Sequence, residues 1–174
     1  MRKTCPSVGG FTLIEIVVVI AILITLTVVA LPLTDGIADA RETRVLADTT
    51  TLGGGLLRYM QDTRFRPTGD QGQPTYDHLL GDLGETPAFD ISGSFTSDAV
   101  GIITRSNTWN SRRWRGPYLE PMPPDPWGFR YVAWVRNFNE GKPVWVISAG
   151  PDGRIQTGPD ATAIMGDDIG MAVE

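Results

Sequence analysis

A single carboxylate lies inside the most apolar stretch of the sequence. The 21 residues 11–31, FTLIEIVVVIAILITLTVVAL, contain one charged side chain, Glu15. An ionised group inside hydrocarbon costs about 2.5–3.5 kcal/mol even on lenient insertion scales, so this carboxylate needs a partner. Gly9 and Gly10 stand immediately before Phe11, and the junction reads GG-FTLIE.

The side chains that most often perform catalysis are scarce. The chain has one histidine, His78, and one cysteine, Cys5, which excludes two-histidine zinc sites and an internal disulfide. No GxSxG, P-loop, GxGxxG or HExxH motif occurs. A catalytic His78 is one alternative, but a surface or helix-capping role is favoured because no nucleophile motif lies nearby. We therefore predict that the protein is not an enzyme.

The composition fits one globular domain. Of 174 residues, 41% are apolar and 20% are charged, and 15 Lys and Arg face 20 Asp and Glu. A formal charge of -5 lacks the broad basic surface that phosphate contacts require, so no nucleic-acid partner is expected. The net charge by itself does not exclude a local basic patch on the surface.

The apolar stretch is long enough to cross a bilayer. At about 1.5 Å per residue, residues 11–31 span roughly 30 Å, and Arg2 and Lys3 before them favour a cytoplasmic N-terminus. A cleaved secretory signal is one alternative, but its apolar core is shorter and a small-x-small site follows it. A permanent single-pass anchor explains the length and leaves Glu15 unexplained.

The basic leader, Gly10, the FTLIE motif and the apolar helix together resemble the signal of type IV pilins and pseudopilins. The resemblance implies that a prepilin peptidase cuts after Gly10 and methylates Phe11. It also implies that Glu15 pairs with the freed Phe11 amine of a neighbouring subunit. At about 4 Å and an effective dielectric of 20 this contact is worth roughly 4 kcal/mol, comparable with the cost of placing the carboxylate in lipid. Pro32 stands where many members carry a helix-kinking proline.

Helical periodicity continues beyond the apolar stretch. Apolar residues recur at helical steps over residues 33–66, namely Ile37, Val45, Leu52, Leu56 and Tyr59. Gly53, Gly54 and Gly55 interrupt this pattern, and a loose turn there is the alternative. The helix should end near residues 64–66, because Pro67 disfavours helical geometry at the preceding residue.

Strand signals return only late in the chain. Residues 67–115 are rich in Gly, Pro, Ser and Thr, contain short apolar pieces such as residues 99–103, and predict an irregular connection with one strand. Alternation and Val, Tyr and Trp content predict strands at residues 131–135 and 144–148, joined as an antiparallel hairpin whose apolar face packs on the helix. The preceding Asp125-Pro-Trp-Gly128 segment predicts a turn whose tryptophan covers the edge of the core.

The C-terminal order GPYL, DPWG, aromatic strand and SAGPDG is similar to the major pseudopilin family of type II secretion systems. That resemblance implies a calcium site formed by Asp152, Asp167 and Asp168 with Ser148, and with Asp160 as an extra ligand; hard cations take such oxygens. The alternative is a solvated acidic tail. A longer middle region and the glycine triplet depart from the family, which leaves a minor pseudopilin or a related filament subunit open.

Together these features predict an α+β protein in which a long N-terminal helix packs against a small antiparallel sheet. Residues 1–10 would be a cleaved leader, 11–31 a transmembrane and assembly helix, 32–66 its periplasmic half and 67–174 a periplasmic globular domain. The resemblance implies a homopolymeric secretion filament, with other pseudopilins, the prepilin peptidase and an inner-membrane assembly platform as partners. A type IV pilus or DNA-uptake filament is the alternative. An anchored periplasmic enzyme is disfavoured, because no catalytic constellation is recognisable.

Overall fold

The computed structural model describes residues 11–68, 76–99 and 112–173. The chain divides into two compact units, residues 1–40 and residues 41–174. One long helix, α1 (Leu13–Thr63), begins in the first unit and ends in the second. In the described residues, no helix combines the length and the hydropathy that a membrane crossing requires.

The second unit is a mixed helix and sheet structure, which confirms the α+β prediction. After α1, its described elements are β1 (His78–Leu80), β2 (Ala88–Phe89), β3 (Ser97–Ala99), β4 (Val132–Ala133), α2 (Asn137–Glu140), β5 (Val144–Ser148), β6 (Arg154–Ile155) and β7 (Ile169–Val173). Five strands form one sheet in the order β3-β1-β4-β5-β7, and β2 pairs with β6 in a second, two-stranded sheet. The larger sheet is antiparallel except at β1 and β3, which run parallel.

One face of α1 supplies much of the core. Val45, Leu52, Leu56 and Tyr59 are at most 3% exposed, as their helical spacing predicts. Ile37, the other residue of this pattern, also lies in α1 but is 54% exposed. Each fully buried side chain of this size stabilises the fold by about 1.5–3 kcal/mol.

The end of α1 lies slightly before the predicted position. The helix ends at Thr63, and Arg64 takes the left-handed conformation with φ 61°. The Arg64 N–H donates to the carbonyl of Met60 at 3.0 Å, which caps the last turn. A non-glycine residue in this conformation costs about 1–2 kcal/mol.

The predicted hairpin is confirmed. Strands β4 and β5 pair antiparallel, with Val132 opposite Ile147. The connection contains the short helix α2, which the sequence did not predict, and Gly141 ends it with φ 66°. Val144 and Val146 of β5 pack in the cluster that contains the buried face of α1, which confirms the predicted packing.

The predicted turn before β4 is also present. The Gly128 N–H donates to the Asp125 carbonyl at 3.0 Å, and Trp127 is partly buried against the core. The buried Asp125 carboxylate accepts the backbone N–H groups of Trp127 and Phe129 at 3.0 and 2.8 Å. These bonds hold the turn independently of the tryptophan packing.

The middle region contains more regular structure than the sequence predicts. Three short strands, β1, β2 and β3, lie within residues 76–99. Strand β3 ends at Ala99, the first residue of the apolar piece 99–103, and residues 100–103 lie outside the described residues. Such short strands carry too few residues for their alternation to stand out.

The glycine triplet lies inside α1, so the alternative of a loose turn is wrong. A Cβ at Gly53 would lie 2.7 Å from Val173 Cγ2, and one at Gly55 would lie 2.6 Å from Leu119 Cγ. These two glycines therefore let β7 and the segment at Leu119 approach the helix. A Cβ at Gly54 would meet nothing within 4 Å.

This geometry predicts opposite effects for two neighbouring substitutions. Gly54→Ala should raise the free energy of unfolding by about 0.5–1 kcal/mol, because alanine favours the helix and nothing obstructs its methyl group. Gly55→Ala should lower it by about 1–3 kcal/mol, because Leu119 must move. Urea denaturation of the fragment that begins at Leu33 measures both values. Destabilisation of similar size by the two variants would contradict this assignment.

Candidate functional site

The first candidate site is the N-terminal segment of the described chain. The Thr12 hydroxyl accepts the Glu15 N–H at 3.4 Å, so Thr12 caps α1 and Glu15 occupies its first turn. Phe11 is 76% exposed and Glu15 is also exposed. Gly10 lies outside the described residues. Pro32 falls within α1, and its predicted kink stays a prediction.

The large apolar side chains on both sides of Glu15 are exposed. Every large apolar residue from Leu13 to Leu26 is between 46% and 83% exposed. A contiguous exposed apolar surface of this kind is normally covered by lipid or by other protein. This segment is therefore a candidate surface for contact with lipid or with other protein.

The second candidate site is the acidic loop, defined here as residues 148–168. The loop closes on itself at Gly150, whose φ is 64° and where a Cβ would lie 2.1 Å from the Asp167 carbonyl oxygen. The Asp152 N–H donates to Asp167 Oδ2 at 3.2 Å. The structure thus brings together two of the predicted acidic residues that lie far apart in sequence.

A glutamine that sequence reasoning missed lies between these two carboxylates. Gln156 Nε2 donates to Asp152 Oδ2 at 2.8 Å and to Asp167 Oδ1 at 3.2 Å. Its Oε1 is buried and has no hydrogen-bond partner in the described residues. No motif in the sequence marks Gln156, because its role depends on the fold of the loop.

Asp168 has a different environment from its neighbour. Its side chain is buried, and Oδ2 accepts the N–H groups of Gln156 and Thr157 at 2.9 and 2.6 Å. Burial raises the pKa of Asp168 above its ordinary value, although the hydrogen bonds from Thr157 and Gln156 oppose this shift. Its Oδ1 is buried and has no partner in the described residues. Asp168 therefore holds the backbone of the loop.

The other two predicted calcium ligands are engaged elsewhere. Ser148 Oγ donates to Asp125 Oδ2 at 2.5 Å, which ties the end of β5 to the turn before β4. Asp160 Oδ1 accepts from Lys142 Nζ at 2.6 Å. Across residues 11–68, 76–99 and 112–173, no group of three or more acidic, histidine or cysteine side chains is arranged as a metal site.

His78 belongs to neither candidate site. It begins β1, is 3% exposed, and lies 5.1 Å from the Trp134 ring and 4.9 Å from the Phe89 ring. Burial lowers its pKa, against a weaker opposing effect of the Asp77 carboxylate. The favoured surface or capping role is therefore wrong, and His78 is a core residue.

Comparison with known proteins identifies the family. Residues 94–167 match the family described as Type II secretion system (T2SS), protein G. The chain is 30% identical to the type II secretion system core protein G of Escherichia coli K12 over 164 residues. This alignment covers 93% of this chain and 94% of the E. coli protein. The chain belongs to the protein G family of the type II secretion system. The Klebsiella pneumoniae protein of the same name is 29% identical over 92% of this chain. No solved structure matches.

Membership in the protein G family makes this chain a component of a type II secretion system, and it confirms the resemblance to the major pseudopilins. The relatives are named as a core protein of the secretion system and not as an enzyme. The match covers the middle region from residue 94 onward, where the sequence motifs were weakest.

The buried histidine predicts a pH dependence of stability. Because the pKa of His78 is lowered in the folded chain, the unfolded chain binds the proton first as the pH falls below about 6.5. The free energy of unfolding should then decrease, by up to about 1.4 kcal/mol per pH unit. His78→Phe keeps the contacts with Phe89 and Trp134 and should remove this contribution. Denaturation between about pH 5.5 and 7.5 measures it, and identical slopes for the two proteins would contradict the assignment.

Proposed function

We propose that this chain is a structural subunit of the filament that drives type II secretion. The observation that carries this proposal is the exposed apolar surface of α1 from Leu13 to Leu26. Removing such a surface from water is favourable by about 25 cal/mol per Å². Residues 41–174, called the body below, have their own buried core. The exposed apolar residues of α1 would contact lipid or other copies.

Before assembly, the same segment would anchor the subunit in the inner membrane. The proposed anchor is residues 11–31, with the N-terminus in the cytoplasm and the body in the periplasm, as the leader residues Arg2 and Lys3 favour. A prepilin peptidase would cut after Gly10 and methylate Phe11. Copies would then leave the membrane and pack helix against helix, in contact with other pseudopilins and an inner-membrane assembly platform.

In this proposal Glu15 directs assembly. Its position in the first turn of α1 is three residues after the capping Thr12 and close in sequence to the Phe11 amine. Each carboxylate would pair with the amine of the neighbouring subunit when both leave water. The body would contribute surface contacts and no catalysis, in keeping with the names of the relatives.

We also propose that the acidic loop binds calcium. Oxygen atoms that lack a donor support this fit, because Gln156 Oε1 and Asp168 Oδ1 are both buried without a partner in the described chain. Asp152 and Asp167 contribute two more carboxylates, now bridged by the Gln156 amide. Calcium takes six to eight oxygen ligands and would supply the positive charge that these groups share. A contribution from Ser148 would require its hydroxyl to leave Asp125.

The first prediction of the proposed function concerns processing. The mature chain should begin at Phe11 and carry one added methyl group, which leaves 13 basic and 20 acidic side chains and a side-chain charge of -7. Intact-mass measurement of the chain extracted from membranes of a host with an active prepilin peptidase tests this. A chain that retains Met1 in such a host would contradict the proposed processing.

The second prediction concerns assembly. Glu15→Leu makes the apolar segment more hydrophobic, so insertion should persist while filament formation is lost, because the Phe11 amine has no partner. Electron microscopy and membrane fractionation measure the two outcomes. Glu42→Leu, an exposed site outside the apolar stretch, is the matched control. Filaments of normal yield from Glu15→Leu would show that this carboxylate does not direct assembly.

The third prediction concerns calcium. Free calcium at 100 times its dissociation constant should stabilise the fragment that begins at Leu33 by about 2.7 kcal/mol relative to chelator. Asp167→Asn should abolish the stabilisation by calcium. Asp160→Asn loses only the ionic contact with Lys142 and should retain that stabilisation. Asp168→Ala should also lower stability in chelator by about 1–3 kcal/mol, because two backbone N–H groups lose their acceptor. Equal wild-type stability in both buffers would favour a solvated acidic loop.

A further inference from the structure

Four arginines surround an open cavity beside the end of α1. The cavity has a volume of about 630 Å³, and Asp62 and Trp114 also line it. The arginines are Arg64, Arg112, Arg113 and Arg115. In the described part of the chain, none of these four guanidinium groups takes part in an ion pair. We refer to this feature as the arginine cavity.

Aromatic contacts hold the wall of the arginine cavity against the helix. The Trp114 ring meets the ring of Tyr118 edge-on at 4.8 Å and that of the fully buried Tyr59 at 6.4 Å. The Arg115 N–H donates to the Tyr118 hydroxyl at 3.1 Å. The segment that carries three of the arginines is therefore fixed to α1 by its own packing.

Arg64 adds a second, independent observation. It is the one non-glycine residue with a positive φ in the described chain, and glycine would adopt this conformation without strain. The negative end of the α1 dipole favours a cation near this position. That effect explains one arginine beside the helix end and leaves the other three unexplained.

The chemistry of the cavity selects an anionic group. Guanidinium groups bind carboxylates and phosphates through paired, parallel hydrogen bonds. Four neighbouring guanidinium groups repel one another, and the single carboxylate that lines the cavity, Asp62, offsets only part of their positive charge. A group with at least two negative charges would relieve this repulsion.

The same body carries exposed carboxylates that have no cationic partner. Glu85, Asp90 and Glu120 are exposed and make no ion pair within the described residues. None of them lines the arginine cavity. The body therefore exposes both guanidinium groups and carboxylates to a neighbouring copy. A contact between two different surfaces of identical chains generates rings or open helical filaments.

We propose that the arginine cavity binds acidic side chains on the body of the next copy of this chain. The contact would be ionic, and it would add specificity to the non-directional packing of the apolar helices. This inference rests on the filament proposed above, and it names one of its subunit interfaces.

Charge reversal tests the contact in the full-length chain, expressed with its secretion system. Arg112→Glu combined with Arg113→Glu should lower filament yield at least about tenfold without changing the melting temperature. Arg58→Glu combined with Arg154→Glu is the matched control, because both arginines are exposed, lie outside the cavity and give the same change in net charge. The control should assemble like the wild type.

Cysteine cross-linking identifies the partner surface. Cys5 is the one cysteine in the sequence, so a Cys5→Ser background removes any competing thiol. Arg113→Cys is paired in turn with Glu85→Cys, Asp90→Cys and Glu120→Cys on a coexpressed second copy. One pairing should give a disulfide-linked dimer, and that dimer should be absent when Glu15→Leu prevents assembly. When the acidic residue that cross-links is replaced by arginine in the chain that carries Arg112→Glu and Arg113→Glu, filament formation should be restored.

Three results would overturn the inference. They are a wild-type filament yield from the reversed-charge chain, the absence of any cross-linked pair, and an arginine-dependent affinity for inorganic phosphate or single-stranded DNA with filaments unchanged. The last result would assign the cavity to a phosphate-bearing ligand. Failure of the wild-type chain to form filaments would instead refute the filament proposal, together with the interface that depends on it.

Discussion

The body of this protein depends on β5 being buried on both faces. All five residues of Val144–Ser148 are buried, and the strand pairs with β4 on one side and β7 on the other. Val144 and Val146 face the cluster formed with α1, whereas Trp145 and Ile147 face a second cluster with Trp134 and Ile155. The alternation of a single strand thereby joins two cores, and the polar groups at its end must be satisfied internally. Ser148 meets that requirement through Asp125, so the turn before β4 and the turn after β5 are held by one hydrogen bond.

The parts of the fold that were predictable are those whose signal is local. The hairpin follows from β-branched and aromatic alternation, and four of the five apolar positions on α1 follow from helical spacing. The sequence did not predict the strands β1, β2 and β3, because two or three residues are too few to show the alternation of apolar and polar side chains that marks a strand. The glycine triplet favoured a break on propensity alone, but the approach of Val173 and Leu119 to Gly53 and Gly55 gives a packing reason for two of the glycines. Tertiary contact outweighs helix propensity at these positions.

The acidic loop shows why a set of candidate ligands cannot be read from residue types. Asp167 and Asp168 are adjacent in sequence, yet one carboxylate faces Gln156 and Asp152 while its neighbour accepts two backbone N–H groups from within the core. Asp167 lies in a turn that the Asp168 N–H closes on the Met165 carbonyl, whereas Asp168 leads directly into β7. The fold of this turn, together with the burial of Asp168, separates the chemistry of the two neighbours. Asp125 was recognised only as a turn residue, although its carboxylate accepts three hydrogen bonds. A local motif identifies such a turn, but the partner that completes it comes from a distant strand.

In an assembly of such chains, the proposed pair between Glu15 and the Phe11 amine would be one directional contact of the apolar segment, and the body has to supply the rest of the specificity. The apolar side chains from Leu13 to Leu26 offer a large favourable transfer energy but little discrimination, since almost any apolar surface satisfies them. Orientation and register require directional contacts, for which the exposed charges of residues 41–174 are available. The two ion pairs of Lys142, with Glu140 and Asp160, are already used within the subunit, whereas the arginine cavity and Glu85 are not. The charges left unpaired in the isolated subunit are therefore the ones that can select a neighbour, and this selection adds to the apolar packing without replacing it.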